Sequence, residues 1–184
     1  MRISDNRYSR DRFRLDLAFR FIRHEARTQT IRAWTGLSDD RIRKLYRGYL
    51  NEPGFAVSRP RGKSPRQCAF FTRSPRLKEE SSFLASVCSL LGVLPQVRTN
   101  QKALANLTRG ELLCQAFEVY QQLMPSHGIS FEHAVFLVTA LAEGGELSVA
   151  VCGECGALYL LNRLDRDGEY CTDCALPKAP NRRG

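Results

Sequence analysis

Apolar residues recur at helical spacing along much of the chain. Within RDRFRLDLAFRFIRHEAR, Leu15, Ala18, Phe19, Ile22 and Ala26 follow an i, i+3, i+4, i+7 rhythm, and Leu17 and Phe21 widen the stripe. This predicts an amphipathic helix whose other face is rich in arginine. In the following RTQTIRAWTGLSDDRIRKLYRGYL, a helical stretch through Ile31 and Trp34 breaks at Thr35-Gly36. Ser38 is then a good N-cap, and Asp39 and Asp40 fall in a first turn, where the helix dipole favours acids. Ile42, Leu45, Tyr46 and Tyr49 carry the apolar face onward. A short helix, a glycine turn and a capped second helix form the layout of a helix-turn-helix. Ile31, Leu37, Ile42 and Leu45 stand where that motif buries residues around its turn. Arg32 and Thr35 depart from it, at positions where a small and an apolar residue are usual. An αα-hairpin with no nucleic-acid role is the alternative.

Residues 51–76 are rich in Pro, Gly and Arg and predict a long loop. Its Arg59, Arg61, Lys63 and Arg66 would suit a phosphate backbone, or simply a basic linker. Three helices are expected beyond it. One covers about 79–91, with Phe83, Leu84, Val87, Leu90 and Leu91 inward. The next opens with Thr108-Arg-Gly-Glu111, which reads as a capping box, and continues through Leu112, Leu113, Ala116, Phe117, Tyr120 and Leu123. The last starts at Ser130, runs along Ala134, Val135, Leu137, Val138 and Leu141, and stops at Gly144-Gly145.

Charge changes this picture at one end only. The net charge is +9. Residues 1–66 hold 17 Lys+Arg against 7 Asp+Glu, whereas the rest hold 11 against 12. An excess concentrated in the first third attracts polyanions, although a solvated basic surface would look the same. Arginine dominates there, and its guanidinium binds phosphates and bases bidentately. No apolar run is long enough for a membrane span, and the charged start lacks the apolar core of a secretory signal. A reducing, cytoplasmic setting is therefore expected, where disulfides are rare.

The most specific chemistry lies in VCGECGALYLLNRLDRDGEYCTDC. Cys152-Gly-Glu-Cys155 and Cys171-Thr-Asp-Cys174 are two Cys-x-x-Cys pairs near the spacing of zinc sites. Between them ALYLLNRL predicts a strand and Asp165-Arg-Asp167-Gly168 a turn. A hairpin returning through Glu169-Tyr170 would close four sulfurs around one tetrahedral Zn²⁺. Redox chemistry would use one pair and leave the other unexplained. An iron–sulfur cluster also takes four cysteines, with no other electron-transfer feature beside it. With every position filled by cysteine, the metal would be structural, and no enzyme is expected. Cys88 and Cys114 read as buried core residues, and Cys68 as a loop residue. His24, His127 and His133 show no ligand spacing and read as structural or surface residues.

The expected fold is mainly α: a helical domain with a helix-turn-helix-like segment and a small four-cysteine zinc hairpin. The expected division is a basic part with the motif and loop at 1–76, a helical core at 77–146, the hairpin at 147–176 and a tail at 177–184. The candidate DNA contacts are Arg32, Arg41, Arg43, Lys44, Arg47, Arg59, Arg61 and Lys63. A zinc-containing adaptor that binds protein or RNA is the alternative from another class.

The order of LSDDRIRKLYRGYL, a Pro/Gly loop, a helical middle and a late CGEC…CTDC resembles the FlhC family, the larger subunit of the flagellar master transcriptional activator. The resemblance covers roughly residues 15–176. It implies a mainly helical DNA-binding activator that works in a hetero-oligomer, heterohexamer-like, with a smaller FlhD-type subunit. It implies promoter DNA and RNA polymerase as further partners, and one structural Zn²⁺ on Cys152, Cys155, Cys171 and Cys174. The family includes relatives on conjugative elements, so flagellar or transfer genes are the expected targets.

Overall fold

The computed structural model describes residues 3–50, 60, 62–94, 106–164 and 170–175. Among them are seven α-helices and a two-stranded antiparallel sheet. Helix α1 spans Ile3–Arg23, and a sharp turn in which Glu25 adopts a positive φ of 57° separates it from α2, Thr28–Thr35. Gly36 closes α2 in the left-handed conformation at φ 69°, its N–H bonded to the Arg32 carbonyl. Helix α3, Asp39–Leu50, follows, and the Ser38 hydroxyl accepts from the Arg41 N–H at 3.4 Å. The expected order of helix, glycine turn and second helix is present, although Leu45, expected to be buried around the turn, is only half-buried. Ile31, Leu37 and Ile42 are buried around the turn, and Tyr46 donates a hydrogen bond from its hydroxyl to the Ala26 carbonyl.

The buried face of α1 is Leu17, Ala18, Phe21 and Ile22. Phe19, expected inward, is exposed, because the stripe is centred one residue to its side. Ala26 is buried, but from the turn after the helix.

Part of the expected 51–76 loop is helical. A 3-10 turn covers Cys68–Phe71, and α4 runs over Pro75–Leu90, four residues earlier than the sequence reading placed it. The Ser74 hydroxyl accepts from the Leu77 N–H, and Pro75 occupies the first turn, where its missing N–H costs nothing. Leu77, Leu84, Ala85 and Cys88 face the core. Phe83 and Val87 are half-buried, and Leu90 is exposed, so the expected inward face was also rotated.

Helix α5, Asn106–Leu123, already includes Thr108 in its interior, and the capping box is not formed. Glu111 turns instead to Arg20 of α1, which also reaches Glu118 at 2.8 Å. Gly110 lets α5 come close to α1, since a Cβ there would lie 2.8 Å from Leu17 Cδ2. Helix α6, Phe131–Glu143, begins and ends as the sequence signals: Ser130 caps it and Gly144 closes it at φ 69°.

One cluster of buried residues runs from Leu17 of α1 through all these helices to Leu147 and Leu160. Strands β1, Leu147–Val151, and β2, Leu158–Asn162, pair antiparallel with Leu147 opposite Asn162 and Val151 opposite Leu158. The expected strand between the cysteine pairs is present as β2, while the expected turn at 165–168 and Glu169 of its return lie outside the described residues. The strand after the first cysteine pair pairs with the one before it, and Tyr170 lies outside any strand. The short α7, Thr172–Ala175, carries the last cysteine. None of the described helices is long and apolar enough to cross a membrane.

Candidate metal centre and nucleic-acid interface

The strand pairing builds the cysteine site. β1 delivers Cys152 into a tight turn, in which the Cys152 N–H bonds the Ala157 carbonyl at 2.9 Å and the Gly156 N–H bonds the Cys152 carbonyl at 3.0 Å. Gly156 sits at φ 72°, a conformation that glycine adopts without strain. This turn presents Cys152 and Cys155. Cys171 and Cys174 approach from the start of α7, where the Ala175 N–H closes on the Cys171 carbonyl at 2.9 Å.

All four sulfurs lie within 4.8 Å of one another, and no other such His/Cys/Asp/Glu group occurs among the described residues. All four cysteines are free thiols. Cys155 and Cys171 Sγ are 3.7 Å apart, far beyond a disulfide bond of about 2.05 Å. Four such close thiols could hold a metal ion. Their ionisation fits that reading. Backbone N–H groups of Cys155 and Cys171 bring the Cys152 thiol down to about 6. The Cys174 thiol is pushed up by its hydrogen bonds to Cys171 and Cys155. One thiolate in the cluster thus raises its neighbours, and a cation at the centre is what lets all four ionise together.

The site is tied to the helical core through α4. The Leu160 N–H donates to Ser82 Oγ at 2.9 Å, and Ser82 in turn donates to the Lys78 carbonyl. Tyr159, almost fully buried, packs with Cys152 and Cys171. The three histidines stay away from the cysteines. The His24 ring stacks on Phe131 with its Nε2 3.1 Å from Glu118, and His133 stacks on Phe70.

The basic candidates gather on the α2–α3 pair. Arg32, Arg41, Arg43, Lys44 and Arg47 are all exposed. Arg32 pairs with Asp39 at 3.4 Å and Arg43 with Asp40 at 3.1 Å, while Arg41, Lys44 and Arg47 have no ion-pair partner among the described residues. Lys63 is exposed on the strand of loop beside α2. Arg59 and Arg61 lie outside the described residues. Sequence reasoning missed Arg27, which opens α2 and lines a cavity of about 340 Å³ together with Lys63 and Arg66. Its Nη1 donates to the Gly62 carbonyl at 3.1 Å, and its buried Nε, 3.9 Å from Glu132 Oε2, makes no hydrogen bond among the described residues. No periodicity marks that role, because it depends on the loop folding back over the helix.

The profile of the flagellar transcriptional activator family (FlhC) matches residues 8–184, nearly the whole chain. The chain belongs to the FlhC family. No individually curated protein matches it. Membership makes this a transcriptional activator family protein and agrees with the mainly helical fold. The FlhC match also spans both features built above, the basic α2–α3 pair and the four-cysteine end.

Proposed function

We propose that this FlhC-family chain is the DNA-contacting subunit of a transcriptional activator. It works in a hetero-oligomer with an FlhD-type partner and recruits RNA polymerase at flagellar or conjugative-transfer promoters. The observation that carries the reading is the exposed cationic face of the α2–α3 pair, where Arg41, Lys44 and Arg47 have no ion-pair partner among the described residues. Unpaired arginine and lysine on a helix-turn-helix suit phosphates, whose counterions are released on binding. Arg32 and Arg43 are exposed on the same two helices and Lys63 lies by the start of α2, and Arg59 and Arg61 are assigned with them.

Cys152, Cys155, Cys171 and Cys174 are assigned to one structural Zn²⁺. Four sulfur donors with no oxygen or nitrogen among them suit that ion, and the filled set leaves no position for substrate. The ion would contribute to folding rather than to chemistry.

The test is co-expression with an FlhD-type subunit, followed by metal analysis and footprinting on candidate promoters at two salt concentrations. A salt-sensitive footprint is expected, along with one zinc per chain. Failure to form the complex, or to protect any promoter, overturns the reading. A second reading, a zinc-containing interaction adaptor, draws on the exposed Val151, Leu164 and Tyr170 around the metal end. An adaptor would show only sequence-independent binding to duplex DNA.

A further inference from the structure

The cysteine end of the chain carries the opposite charge to the α2–α3 pair. Residues 143–175 hold seven Asp+Glu against two Arg. A cavity of about 260 Å³ opens at this end, between α4 and β2. Phe83 of α4 and Leu158 and Tyr159 of β2 give it apolar walls. Glu79 of α4 and Asp173 of α7 line it from different elements, and no Lys or Arg of the described residues does. Neither carboxylate has a hydrogen bond or an ion pair among the described residues. The Ser86 hydroxyl, on the same wall, donates to the Ser82 carbonyl at 2.8 Å, which leaves its lone pairs to accept.

The backbone beside the cavity is open as well. Antiparallel strands bond through alternate residues. The Cys152 N–H to Ala157 carbonyl and Arg163 N–H to Glu146 carbonyl bonds bracket the sheet. They put Tyr159 and Leu161 in its hydrogen-bonded pairs. Leu158 and Leu160 therefore turn their N–H and C=O groups to the edge away from β1. There the Leu160 N–H donates to Ser82 Oγ at 2.9 Å. The Leu158 N–H and C=O face the same way, and no bond within the sheet uses them.

We infer that this cavity is a docking pocket for one arginine or lysine side chain of a partner protein, whose main chain runs along the Leu158 edge. At about 260 Å³ it falls below the roughly 300–1,000 Å³ of small-molecule pockets. Chemistry selects the side chain. A long basic residue buries its aliphatic stem on apolar surface and keeps its charge at a polar rim. Phe83 and Leu158 suit the stem, and the two unpaired carboxylates suit the charge. Those carboxylates repel a phosphate or an acidic residue, so this is no second nucleic-acid surface. The open Leu158 backbone favours a polypeptide over a free amine, because main-chain bonds along a strand edge hold a peptide while a pocket reads its side chain. The inference stands whether or not the α2–α3 pair binds DNA.

The test uses the full chain with its metal bound and fluorescent pentapeptide libraries whose central residue is fixed as arginine, lysine or neutral citrulline. Binding is read by polarisation at low salt. The arginine and lysine libraries bind, and the citrulline library binds about fivefold more weakly or not at all. Glu79→Gln and Asp173→Asn each weaken the arginine library by about two- to fivefold. Glu143→Gln, at an exposed acid of the same end that does not line the cavity, leaves binding unchanged. Glu79 lies on α4 rather than among the cysteines, so its variant keeps the metal content of the parent, measured alongside. Citrulline peptides that bind as tightly as arginine peptides overturn the pocket. So does a Glu143→Gln loss equal to that of Glu79→Gln, or a parent chain that binds none of the libraries.

Discussion

Glu132 of α6 caps α2 from across the core. Its Oε1 accepts from the backbone N–H of Arg27 at 2.8 Å, and its Oε2 accepts from the Thr30 hydroxyl at 3.0 Å. Arg27 has no side-chain cap of its own to offer. The first N–H groups of a helix lack internal partners, and here a buried carboxylate from the helical core supplies one and meets the positive end of the dipole. The α2–α3 pair is thereby fastened to α6. Glu132→Ala leaves the Arg27 N–H and Thr30 hydroxyl without acceptors, at about 2–3 kcal/mol. Urea denaturation measures this, and Glu132→Gln, which keeps one acceptor oxygen, is expected to lose less.

Glu80 is the second buried carboxylate, and it sets an acid limit. Burial pushes its carboxyl up. The Tyr120 hydroxyl at 2.5 Å, the Gly128 N–H at 2.7 Å and the Arg76 guanidinium at 2.8 Å outweigh this and hold it below its usual 4.5. A carboxylate depressed on folding contributes stability that is complete above 4.5 and drains as the pH falls through its folded value. Tyr120→Phe is expected to cost about 1–3 kcal/mol near neutrality. It should also narrow the difference between stability at neutral pH and well below 4.5. Denaturation curves at both pH values check the two effects; an unchanged acid dependence would contradict this account of Glu80.

His24 acts in a higher window. Burial lowers its pKa from 6.5 despite the Glu118 hydrogen bond, so the folded chain favours the neutral ring. The unfolded chain takes up the proton first, and stability begins to fall as the pH drops below 6.5. His24→Gln is expected to flatten the fall of stability below pH 6.5, read by thermal melts at a series of pH values.

Removing the proposed metal would distinguish the two ends of the chain. Chelation is expected to expose four reactive thiols and lower Tm. Most of the helical signal should remain, because α1–α6 share a core to which Cys152, Cys155, Cys171 and Cys174 contribute nothing. Cys171→Ser should reproduce the loss of bound metal. Thiol titration, metal analysis and circular dichroism together check this.

Gly110→Ala tests the spacing of α5 against α1 and α2. The new methyl would lie 2.8 Å from Leu17 Cδ2 and 3.3 Å from Trp34 Cε3, and Leu17 is fully buried with little room to swing. Overpacking of this kind costs about 1–3 kcal/mol. Equal stability of the variant and the parent would show that Leu17 repacks freely.

Features whose chemistry is local were legible in the chain itself. Ser130 and Gly144 bound α6 because a cap and a left-handed closure act over only a few residues. Gly36 marks the turn before α3 for the same reason, and the paired cysteines announce a site by spacing alone. The Ser74-Pro75 start of α4 was equally readable, though the basic loop before it obscured the signal. Tertiary structure decided everything that depends on a distant partner. Thr108-x-x-Glu111 has the pattern of a capping box, but Glu111 is engaged by Arg20, 91 positions away. The strand after the first cysteine pair had two neighbours available, and burial of Leu147 and Leu160 in the common core accompanies the pairing it adopts. Nothing in the sequence set Glu80 and Glu132 apart, and only the folded chain surrounds them with donors. A one-dimensional pattern records what a residue can do with its neighbours in the chain, whereas a buried carboxylate or a strand pairing is decided by which distant groups the packed core brings within reach.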